Sequence, residues 1–332
     1  MFKTPSFWRK PNLLALALSP FCVIYLSIFF LLKFFVKPKA VNSKVICVGN
    51  LTAGGQGKTP CALAIGLICD ELKIKYAFLS RGYGVKFNEE LRKVNANDSA
   101  SEFGDEPILL SRQAPTFIAK NRYQGAKILS ENNNFQLLIL DDGLQNNSLK
   151  KDLKIAVIDE KIMFGNNLVL PAGPLREPVS FGLKNVDLII YIAKKDSELP
   201  NILKNKKLIR AETEVLNFKN FSNKKIIAFC GIAYPQKFFS TLQDCNLDII
   251  QTIVFADHHA YSQRDLEELA QKLSKAKENQ SEKDFEVILL TTKKDWIKFS
   301  LEWQSKIPYL DIAIKFNDEN LLKFELKKLL KC

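Results

Sequence analysis

Short runs of apolar and β-branched residues alternate with segments of helix length through most of the chain. After Lys44 the apolar runs are VICVG, YAFLS, PTFIA, LLIL, IAVID and DLIIYIA, and Pro60 to Leu72 has the length of a helix. A polar stretch from Ala211 to Asn223 precedes a second series, KIIAFCG, IIQTIVF, VILLTT and YLDIAIKF. Strands that alternate with helices in this way predict a parallel sheet covered by helices. We therefore expect an α/β fold with a larger domain over 41–215 and a smaller α/β domain over 216–332.

The N-terminal 40 residues have a different pattern. Leu13 to Leu32 is a run of twenty residues without a charge, which matches the hydrocarbon thickness of a bilayer. The run is too long for a signal peptide, and no small-residue cleavage site follows it. Three interpretations stay open: a transmembrane span, a helix that lies in one leaflet and bends at Pro20, or a buried apolar helix. Basic residues on both flanks suit contact with one anionic leaflet, so we expect 1–40 to be a membrane-associated helix.

Charge and cysteine content narrow the classes of partner. The 48 Lys and Arg residues against 36 Asp and Glu give a net charge of +12, which favours an anionic partner, although a generally lysine-rich surface explains it equally well. We expect no nucleic acid partner, because the chain has no zinc-finger spacing, RNA-binding aromatic motif or dense basic helix. The seven cysteines form no C-x-x-C, which is typical of free thiols in a reducing compartment.

The segment VGNLTAGGQGKTP, Val48 to Pro60, follows an apolar strand and precedes a helix. That is the context of the phosphate-binding loop G-x-x-x-x-G-K-[ST], with Thr52 in place of the first glycine. Three glycines let backbone N–H groups turn inward around a phosphate, and the helix N-terminus adds partial positive charge. Lys58 would reach the β- and γ-phosphates, and the Thr59 hydroxyl would bind Mg²⁺. The expected nucleotide-binding residues are Thr52, Ala53, Gly54, Gly55, Gln56, Gly57, Lys58 and Thr59.

Acidic residues and both histidines occur where the sites of α/β proteins usually lie. FQLLILDDGLQN places Asp141 and Asp142 at the end of a buried strand, where carboxylates hold Mg²⁺ or its water beside a phosphate loop. FGDEP supplies Asp105 and Glu106 before a helix, and a helix cap is an equal interpretation of that pair alone. FADHHAYS follows an apolar strand and holds the only two histidines, so a zinc site is not expected.

Motifs across the whole chain, in order, resemble those of tetraacyldisaccharide 4′-kinase, the lipid A kinase family also called LpxK. The blocks that carry the resemblance are VGNLTAGGQGKTP, SRGYG (Ser80 to Gly84), GDEP (Gly104 to Pro107), DDGLQ (Asp141 to Gln145), LPAGPLRE (Leu170 to Glu177), ADH (Ala256 to His258) and TKKD (Thr292 to Asp295). The loop of this family also has threonine in the first position.

The resemblance implies ATP-dependent phosphorylation of the 4′-hydroxyl of an acylated disaccharide 1-phosphate lipid, giving lipid IVA at the cytoplasmic face of a bacterial inner membrane. By similarity, Lys58 serves the phosphate, Asp105 acts as base and His258 orients it. The implied metal-organising residues are Thr59, Glu106, Asp141 and Asp142. The implied substrate residues are Arg81, Arg122, Arg176 and Glu177. The predicted boundaries put Asp105 and His258 in different domains, so their meeting would require closure over ATP.

Two positions depart from the family pattern. Asn146 stands where the family often has a histidine, and Lys293 where an acidic residue is common. A membrane-associated P-loop ATPase that drives assembly or transport is the main alternative, but Ala53 occupies the position of the signature lysine of MinD/ParA-type ATPases. A GTP-binding switch would need an N-K-x-D motif, and TKKD lacks its asparagine.

Overall fold

The computed structural model describes residues 5–82, 85, 87–132, 134–278 and 285–331. The chain divides into two compact units. The larger unit consists of Pro5–Asp98, Pro107–Thr213 and Ile314–Cys332. The smaller unit contains Ser99–Glu106 and Glu214–Ala313. Tyr83 and Gly84 of the SRGYG motif lie outside the described residues.

Helices and strands alternate along the described chain. The α-helices are α1 (Leu13–Phe35), α2 (Lys58–Glu71), α3 (Ala100–Phe103), α4 (Asp105–Ser111), α5 (Arg122–Asn132), α6 (Val179–Lys184), α7 (Pro235–Asp244), α8 (Gln263–Glu278), α9 (Lys293–Trp296), α10 (Leu301–Lys306) and α11 (Glu319–Leu330). The strands are β1 (Lys44–Gly49), β2 (Tyr76–Ser80), β3 (Arg92–Val94), β4 (Thr116–Ile118), β5 (Leu137–Asp141), β6 (Leu153–Asp159), β7 (Leu188–Ile192), β8 (Leu208–Val215), β9 (Lys224–Cys230), β10 (Asp248–Val254), β11 (Glu286–Thr292), β12 (Tyr309–Leu310) and β13 (Ile312–Phe316).

A sheet of order β13-β8-β7-β6-β1-β5-β2-β4-β3 forms the centre of the larger unit. Strand β1 pairs in parallel with β5 on one side, where Val48 is opposite Asp141, and with β6 on the other. At the edge, β3 is antiparallel to β4. The strand order reverses at β1, and α/β sheets bind ligands at the carboxyl ends of strands beside such a switch point. The predicted α/β fold with a parallel sheet is confirmed.

Apolar layers cover both faces of this sheet. On one face Ile46 of β1 packs in the same cluster as Ile65 of α2, and on the other Cys47 clusters with Leu129 of α5. All four side chains are fully buried. Burial on both faces explains why the strands read as continuous apolar runs rather than as an alternating pattern.

The smaller unit contains its own sheet, of order β10-β9-β11-β12. Strand β9 pairs in parallel with β10 and β11. Ala228 and Phe238 belong to the apolar cluster that includes α7, whereas Phe229 and Leu266 belong to the cluster that includes α8. The four-stranded sheet therefore also has apolar layers on both faces.

Two segments fall in a different unit from the one that the predicted boundaries imply. Ser99–Glu106 groups with the smaller unit, so Asp105 and His258 lie in the same unit and not in different domains. Ile314–Cys332 groups with the larger unit, because Phe316 and Leu326 pack in its core. The predicted domain boundaries stay a prediction, and in this division of the chain Asp105 and His258 belong to one unit.

Helix α1 is the one described helix that is long and apolar enough to cross a membrane, by length and composition only. Most of its large apolar side chains are exposed, and Leu13, Phe34 and Phe35 are at least 70% exposed. The interpretation of α1 as a buried helix is therefore wrong. Pro20 lies inside the helix.

One face of α1 packs against the rest of the larger unit. The Cys22 thiol donates to the Val169 carbonyl (3.2 Å), and the Tyr25 hydroxyl donates to the Arg176 carbonyl (2.8 Å). The rings of Phe30 and Phe181 are 5.1 Å apart between centroids. The opposite face presents apolar side chains outward, so the helix has one face that contacts protein and one that does not.

Candidate active site

The phosphate loop connects the end of β1 to the start of α2. Gly54 and Gly57 have φ values of 109° and 87°, in the left-handed region that favours glycine. A Cβ added to Gly55 would meet no atom within 4 Å, so this part of the loop faces open space. The backbone is therefore shaped to approach a ligand closely.

Thr52 holds the loop from inside. Its side chain is fully buried, and its Oγ1 accepts a hydrogen bond from Gln56 Nε2 (2.9 Å). Gln56 Oε1 in turn accepts from the Asp159 backbone N–H (2.7 Å), and Asn50 Nδ2 donates to the Gly54 carbonyl (3.0 Å). Thr52 is not among the described residues with a positive φ. At this position the loop therefore needs no positive φ, and the Thr52 hydroxyl stabilises it by a hydrogen bond that a glycine could not make.

The first two residues of α2 face the end of β5. Thr59 Oγ1 donates to Asp141 Oδ2 (2.7 Å), and both residues are buried. Lys58 Nζ lies 3.6 Å from Asp142 Oδ2. The in-register pairing of β1 with β5 brings these groups together, because it sets the two strand ends side by side.

Asp142 is surrounded by cations. Arg176 Nη1 lies 2.9 and 3.0 Å from the two carboxylate oxygens. Removal from water would raise the pKa of this carboxyl, but Lys58 and then Arg176 outweigh that effect and hold the pKa well below its usual range. Asp142 also has a φ of 63°, in the left-handed region. This carboxylate is therefore fixed in its charged form and in one orientation.

The LPAGPLRE segment is joined to the phosphate loop by hydrogen bonds. The Arg176 N–H donates to the Leu51 carbonyl (2.8 Å). Glu177 Oε1 accepts from Gln145 Nε2 (2.6 Å), which also donates to the Asn50 carbonyl (3.1 Å). The structure thus gathers Arg176, Glu177 and the DDGLQ motif around the loop, as the motif order alone does not show.

The two other arginines named from the sequence differ in setting. Arg122 is buried, its Nη2 donates to the Asp142 carbonyl (3.1 Å), and its Nε has no hydrogen-bond partner among the described residues. Burial lowers the pKa of this guanidinium from its usual value. Arg81 is exposed at the end of β2. Only Arg122 of this pair contacts the Asp142 backbone.

Within the smaller unit, His258 Nδ1 lies 2.9 Å from Asp105 Oδ2. His258 has a φ of 54°, and its backbone N–H donates to the Gly231 carbonyl (3.1 Å). Asp105 is the first residue of α4, and its Oδ1 accepts from the Glu106 N–H (2.9 Å). The carboxylate therefore bonds the first turn of its helix and the imidazole at once.

Two lysines beside this pair were not predicted as site residues. Lys294 Nζ lies 2.9 Å from Glu106 Oε1 and 3.8 Å from Asp105 Oδ2. Lys298 Nζ lies 3.7 Å from the same Asp105 oxygen and 2.9 Å from Asp295 Oδ1. Both lie shortly after the carboxyl end of β11, where the sites of α/β proteins usually lie, and that position is the signal that could have revealed them.

The lysines also set the charge of Asp105. Burial would raise the pKa of this carboxyl, but Lys294, then His258 and Lys298, lower it well below its usual range. Burial would lower the pKa of Lys294, and Glu106 and Asp105 raise it above its usual value. The cluster therefore holds a charged carboxylate and a charged ammonium group.

The second histidine has a different setting. His259 Nε2 lies 3.2 Å from Asp265 Oδ2, and its ring stacks on Phe255 at 4.8 Å between centroids.

The two residues that depart from the family pattern also have local partners. Asn146 Oδ1 accepts from the Ser148 hydroxyl (2.9 Å), and Lys293 Nζ donates to Asp311 Oδ1 (2.9 Å).

Two groups of side chains offer atoms for a divalent cation. Thr59 and Asp141 present a hydroxyl and a carboxylate, the hard oxygen ligands that suit Mg²⁺. In the other group, ligand atoms of Asp105, Glu106 and His258 lie within 4.8 Å of one another. Both carboxylates of that second group already face lysine ammonium groups. The hydroxyl–carboxylate pair therefore fits Mg²⁺ better.

A glycine loop between a central parallel strand and a helix, with a lysine and a hydroxyl at the helix start, defines a nucleotide-binding P-loop protein. Comparison with known proteins narrows this class. The chain belongs to the tetraacyldisaccharide-1-P 4′-kinase (LpxK) family, whose model matches residues 14–331. The resemblance noted from the motifs is confirmed.

Individual relatives agree with this assignment. The tetraacyldisaccharide 4′-kinase of Rickettsia canadensis is 34% identical over 98% of this chain and 96% of its own length. The enzyme of that name from Methylobacterium radiotolerans is 35% identical over 85% of each chain. The crystal structure of LpxK from Aquifex aeolicus in complex with ATP is similar with a TM-score of 0.74 and 28% identity, covering 96% of this chain and 100% of the other.

Proposed function

We propose that this chain is an ATP-dependent kinase that phosphorylates the 4′-hydroxyl of a tetraacyldisaccharide 1-phosphate in lipid A biosynthesis. Membership of the family whose named members are 4′-kinases supports this function. The observation that carries it is the Thr59–Asp141 hydrogen bond of 2.7 Å beside a glycine loop that faces open space. Such an arrangement suits a nucleotide with its metal ion and leaves the terminal phosphoryl group for transfer.

We assign the phosphate and metal tasks to the larger unit. The loop from Thr52 to Thr59 would bind the phosphates through its backbone, and Lys58 would balance their charge. Mg²⁺, held by Thr59 and Asp141, would neutralise charge on the transferring group. Asp142 already pairs with Lys58 and Arg176, so its proposed task is to orient these cations.

The remaining groups of the larger unit would bind substrate. Arg176 and Glu177 border the loop and offer a cation and a carboxylate to a sugar phosphate. Arg122 would contribute a positive charge through Asp142, whose carbonyl it contacts. Arg81 is exposed and would meet an anionic group of the substrate or nucleotide from solvent.

We assign the proton transfer to Asp105. A sugar hydroxyl must lose its proton as it attacks the γ-phosphorus, and a positioned carboxylate accepts it. His258, at 2.9 Å, would orient Asp105 and share the arriving proton. Glu106 pairs with Lys294, so its proposed task is to place that ammonium group near Asp105 rather than to bind the ion directly.

The test is phosphoryl transfer from γ-labelled ATP to purified tetraacyldisaccharide 1-phosphate, with the label scored on the sugar. Labelled lipid is expected with the wild type and not with Lys58→Ala. ATP hydrolysis without labelled lipid would instead support a P-loop ATPase that drives assembly or transport.

We also propose that α1 attaches the enzyme to the cytoplasmic face of the inner membrane by lying in one leaflet. One face of the helix contacts the protein through Cys22 and Tyr25, and the other presents apolar side chains. Four acyl chains leave a bilayer reluctantly, at about 0.8 kcal/mol per buried CH₂, so an enzyme at the surface avoids that extraction.

Deletion of residues 1–35 tests the attachment. We expect the shortened protein to lose activity on vesicle-borne lipid more than it loses ATP binding. The two quantities are measured separately, by label transfer in vesicles and by equilibrium binding of ATP. Unchanged activity on vesicles would contradict the proposed attachment.

A further inference from the structure

A cavity of about 260 Å³ lies in the larger unit, between the end of α1 and the loop that follows β5. Four lysines line it: Lys33 from α1, Lys150 and Lys151 from the loop, and Lys154 from β6. Glu177 is the one carboxylate among the described lining residues. Positive charge therefore exceeds negative charge around this cavity.

The carboxylate and one of the lysines are already engaged by neighbouring groups. Glu177 Oε1 accepts a hydrogen bond from Gln145 Nε2 (2.6 Å). Lys151 Nζ donates to the carbonyls of Leu144 and Asn146. These hydrogen bonds hold Glu177 and Lys151 in place. The other lining lysines, Lys33, Lys150 and Lys154, are the cations that a bound anion could contact.

The lysines act on one another electrostatically. Burial is the main cause that lowers the pKa of Lys33, and Lys154 lowers it further against the opposing effect of Glu177. Burial likewise lowers the pKa of Lys151, with Lys154 and Lys33 among the neighbouring cations that add to it. Cations that repel one another around a shared space are the setting in which a bound anion is stabilising.

The size of the cavity limits its occupant. Clefts that enclose drug-sized ligands usually measure about 300–1,000 Å³, and this cavity is smaller. It suits one compact anionic group with a few water molecules, each of which takes about 30 Å³ in the liquid. A whole acylated disaccharide would have to extend beyond it.

The position of Lys33 relates the cavity to lipid. Lys33 lies in the last turn of α1, with Nζ 4.2 Å from the centre of the Phe181 ring. Its neighbours Leu32 and Phe34 are 59% and 80% exposed. A lysine whose aliphatic part lies among apolar side chains, with its ammonium group turned toward the protein, is typical of a membrane surface. The cavity is thus lined by a residue of the last turn of α1, where the apolar run of that helix ends.

We propose that this lysine cavity binds a phosphate group carried by a lipid. The chemistry is common to two sources: the 1-phosphate of the acylated disaccharide, which rests on the proposed function, and the headgroup of an anionic lipid of the leaflet. In both cases the ammonium groups of Lys33, Lys150 and Lys154 bind the phosphate oxygens while the acyl chains lie along the exposed face of α1.

The experiment compares full-length Lys154→Gln and the double variant Lys33→Gln/Lys154→Gln with Lys154→Arg, which keeps the charge. The exposed Lys127→Gln on α5 is the matched control for loss of one positive charge. Thermal unfolding of each variant checks that the fold is kept. Lys154→Gln alone leaves the contact of Lys33 with Phe181 intact, so it tests the cavity even if the double variant folds poorly.

Three measurements separate the two sources. Initial rates in mixed micelles give KM for the acylated disaccharide and for ATP. Flotation with phosphatidylcholine vesicles, with and without phosphatidylglycerol, reports binding to an anionic leaflet. Titration with glucosamine 1-phosphate, monitored by its ³¹P signal, reports binding of the phosphate alone.

If the substrate supplies the phosphate, the double variant raises KM for the lipid about tenfold or more, loses binding of glucosamine 1-phosphate and leaves KM for ATP and flotation unchanged. If the leaflet supplies it, the variant loses the preference for phosphatidylglycerol while both KM values stay as in the wild type. Lys154→Arg and Lys127→Gln stay close to the wild type in both cases.

Wild-type behaviour of the double variant in all three measurements would overturn the proposal. The same holds if Lys127→Gln has effects as large, because the response would then reflect net charge. A wild type that phosphorylates no lipid would refute the proposed kinase function, and flotation and the ³¹P titration would still decide whether the cavity binds phosphate.

Discussion

The phosphate loop and the Asp105 cluster are positioned by different kinds of structure. The loop is continuous in sequence, and its partner Asp141 comes from the neighbouring strand in register with Val48. The cluster instead joins Asp105 to His258 and Lys294, which are separated from it by more than 150 residues. The position of the phosphate loop is thus set by the backbone of the sheet. The Asp105 cluster is instead set by individual side chains, so single substitutions can disrupt it.

Charge is also handled differently in the two places. In the larger unit, Lys58 and Arg176 both face Asp142, so a single carboxylate neutralises two cations that a nucleotide would also attract. In the smaller unit, Lys294 and Lys298 both face Asp105 and keep it ionised. The first arrangement holds two cations where an anion could bind, and the second keeps Asp105 deprotonated, which is the form that a base must have before it accepts a proton. The following changes test that distinction.

The largest expected effect is that of Lys58→Ala. Loss of one preorganised hydrogen-bond donor that faces a developing negative charge costs about 10²–10³-fold in rate, and the Lys58 ammonium group would be such a donor. We expect a fall of that size in kcat for label transfer, with thermal stability and membrane binding kept. Lys127→Ala, at an exposed position on α5, is the control. A loss of less than about fivefold would remove Lys58 from the phosphate site.

Asp105→Asn is expected to come next. A positioned general base contributes about 10²–10⁴-fold, and the amide keeps the size of the side chain while it cannot accept the proton. We expect kcat to fall by about 10²-fold while ATP binding, measured by equilibrium titration, stays within twofold of the wild type. Near-normal turnover would exclude Asp105 as base. Asp196→Asn, at an exposed position, controls for the loss of a carboxylate.

The two histidines provide a matched pair with a smaller effect. His258 contacts Asp105, whereas His259 contacts Asp265 and stacks on Phe255. We expect His258→Ala to lower kcat by about tenfold or more, which corresponds to about 1.4 kcal/mol, and His259→Ala to change it by less than about threefold. Equal losses in the two variants would mean that the Asp105–His258 contact has no special part in turnover.

Thr52→Val tests the loop through stability, with the smallest expected effect. The substitution keeps the shape of the side chain but removes one of the two acceptors of Gln56 Nε2, the other being the Met163 carbonyl. A buried donor left without its partner costs about 1–3 kcal/mol. We expect a loss in that range in urea unfolding and little change for Thr252→Val, which is exposed on β10. An unchanged midpoint would show that Thr52 does not hold the loop.

How far the sequence predicts this molecule differs between the two regions. The phosphate loop was predictable because its glycines, Lys58 and Thr59 are adjacent in sequence and their chemistry depends on that adjacency. The hydrogen bond from Gln56 to Thr52 was not predictable, because a side-chain contact within a loop leaves no periodic signal in the sequence. The pairing of Asp142 with Arg176 depends on two loops that meet only after the sheet has formed.

The secondary structure shows the same limit. The second half of strand β8 falls in the stretch from Ala211 that reads as polar, because Glu212, Thr213 and Glu214 follow one another there. The strands buried on both faces were found because they are continuously apolar. The grouping of Ser99–Glu106 with the smaller unit was missed because it depends on the contacts of Asp105 and Glu106 with His258 and Lys294, which the local pattern does not encode.

The hydrogen bond from the Tyr25 hydroxyl to the Arg176 carbonyl has a practical consequence for how this protein is prepared. Removing α1 to improve the yield would also remove the hydrogen bond to the backbone of Arg176, the residue that pairs with Asp142. A loss of activity in the shortened enzyme could then come from weaker access to the lipid substrate or from a less well positioned Arg176. The Tyr25→Phe variant of the full-length chain separates these contributions, because it keeps α1 and removes only the hydroxyl group.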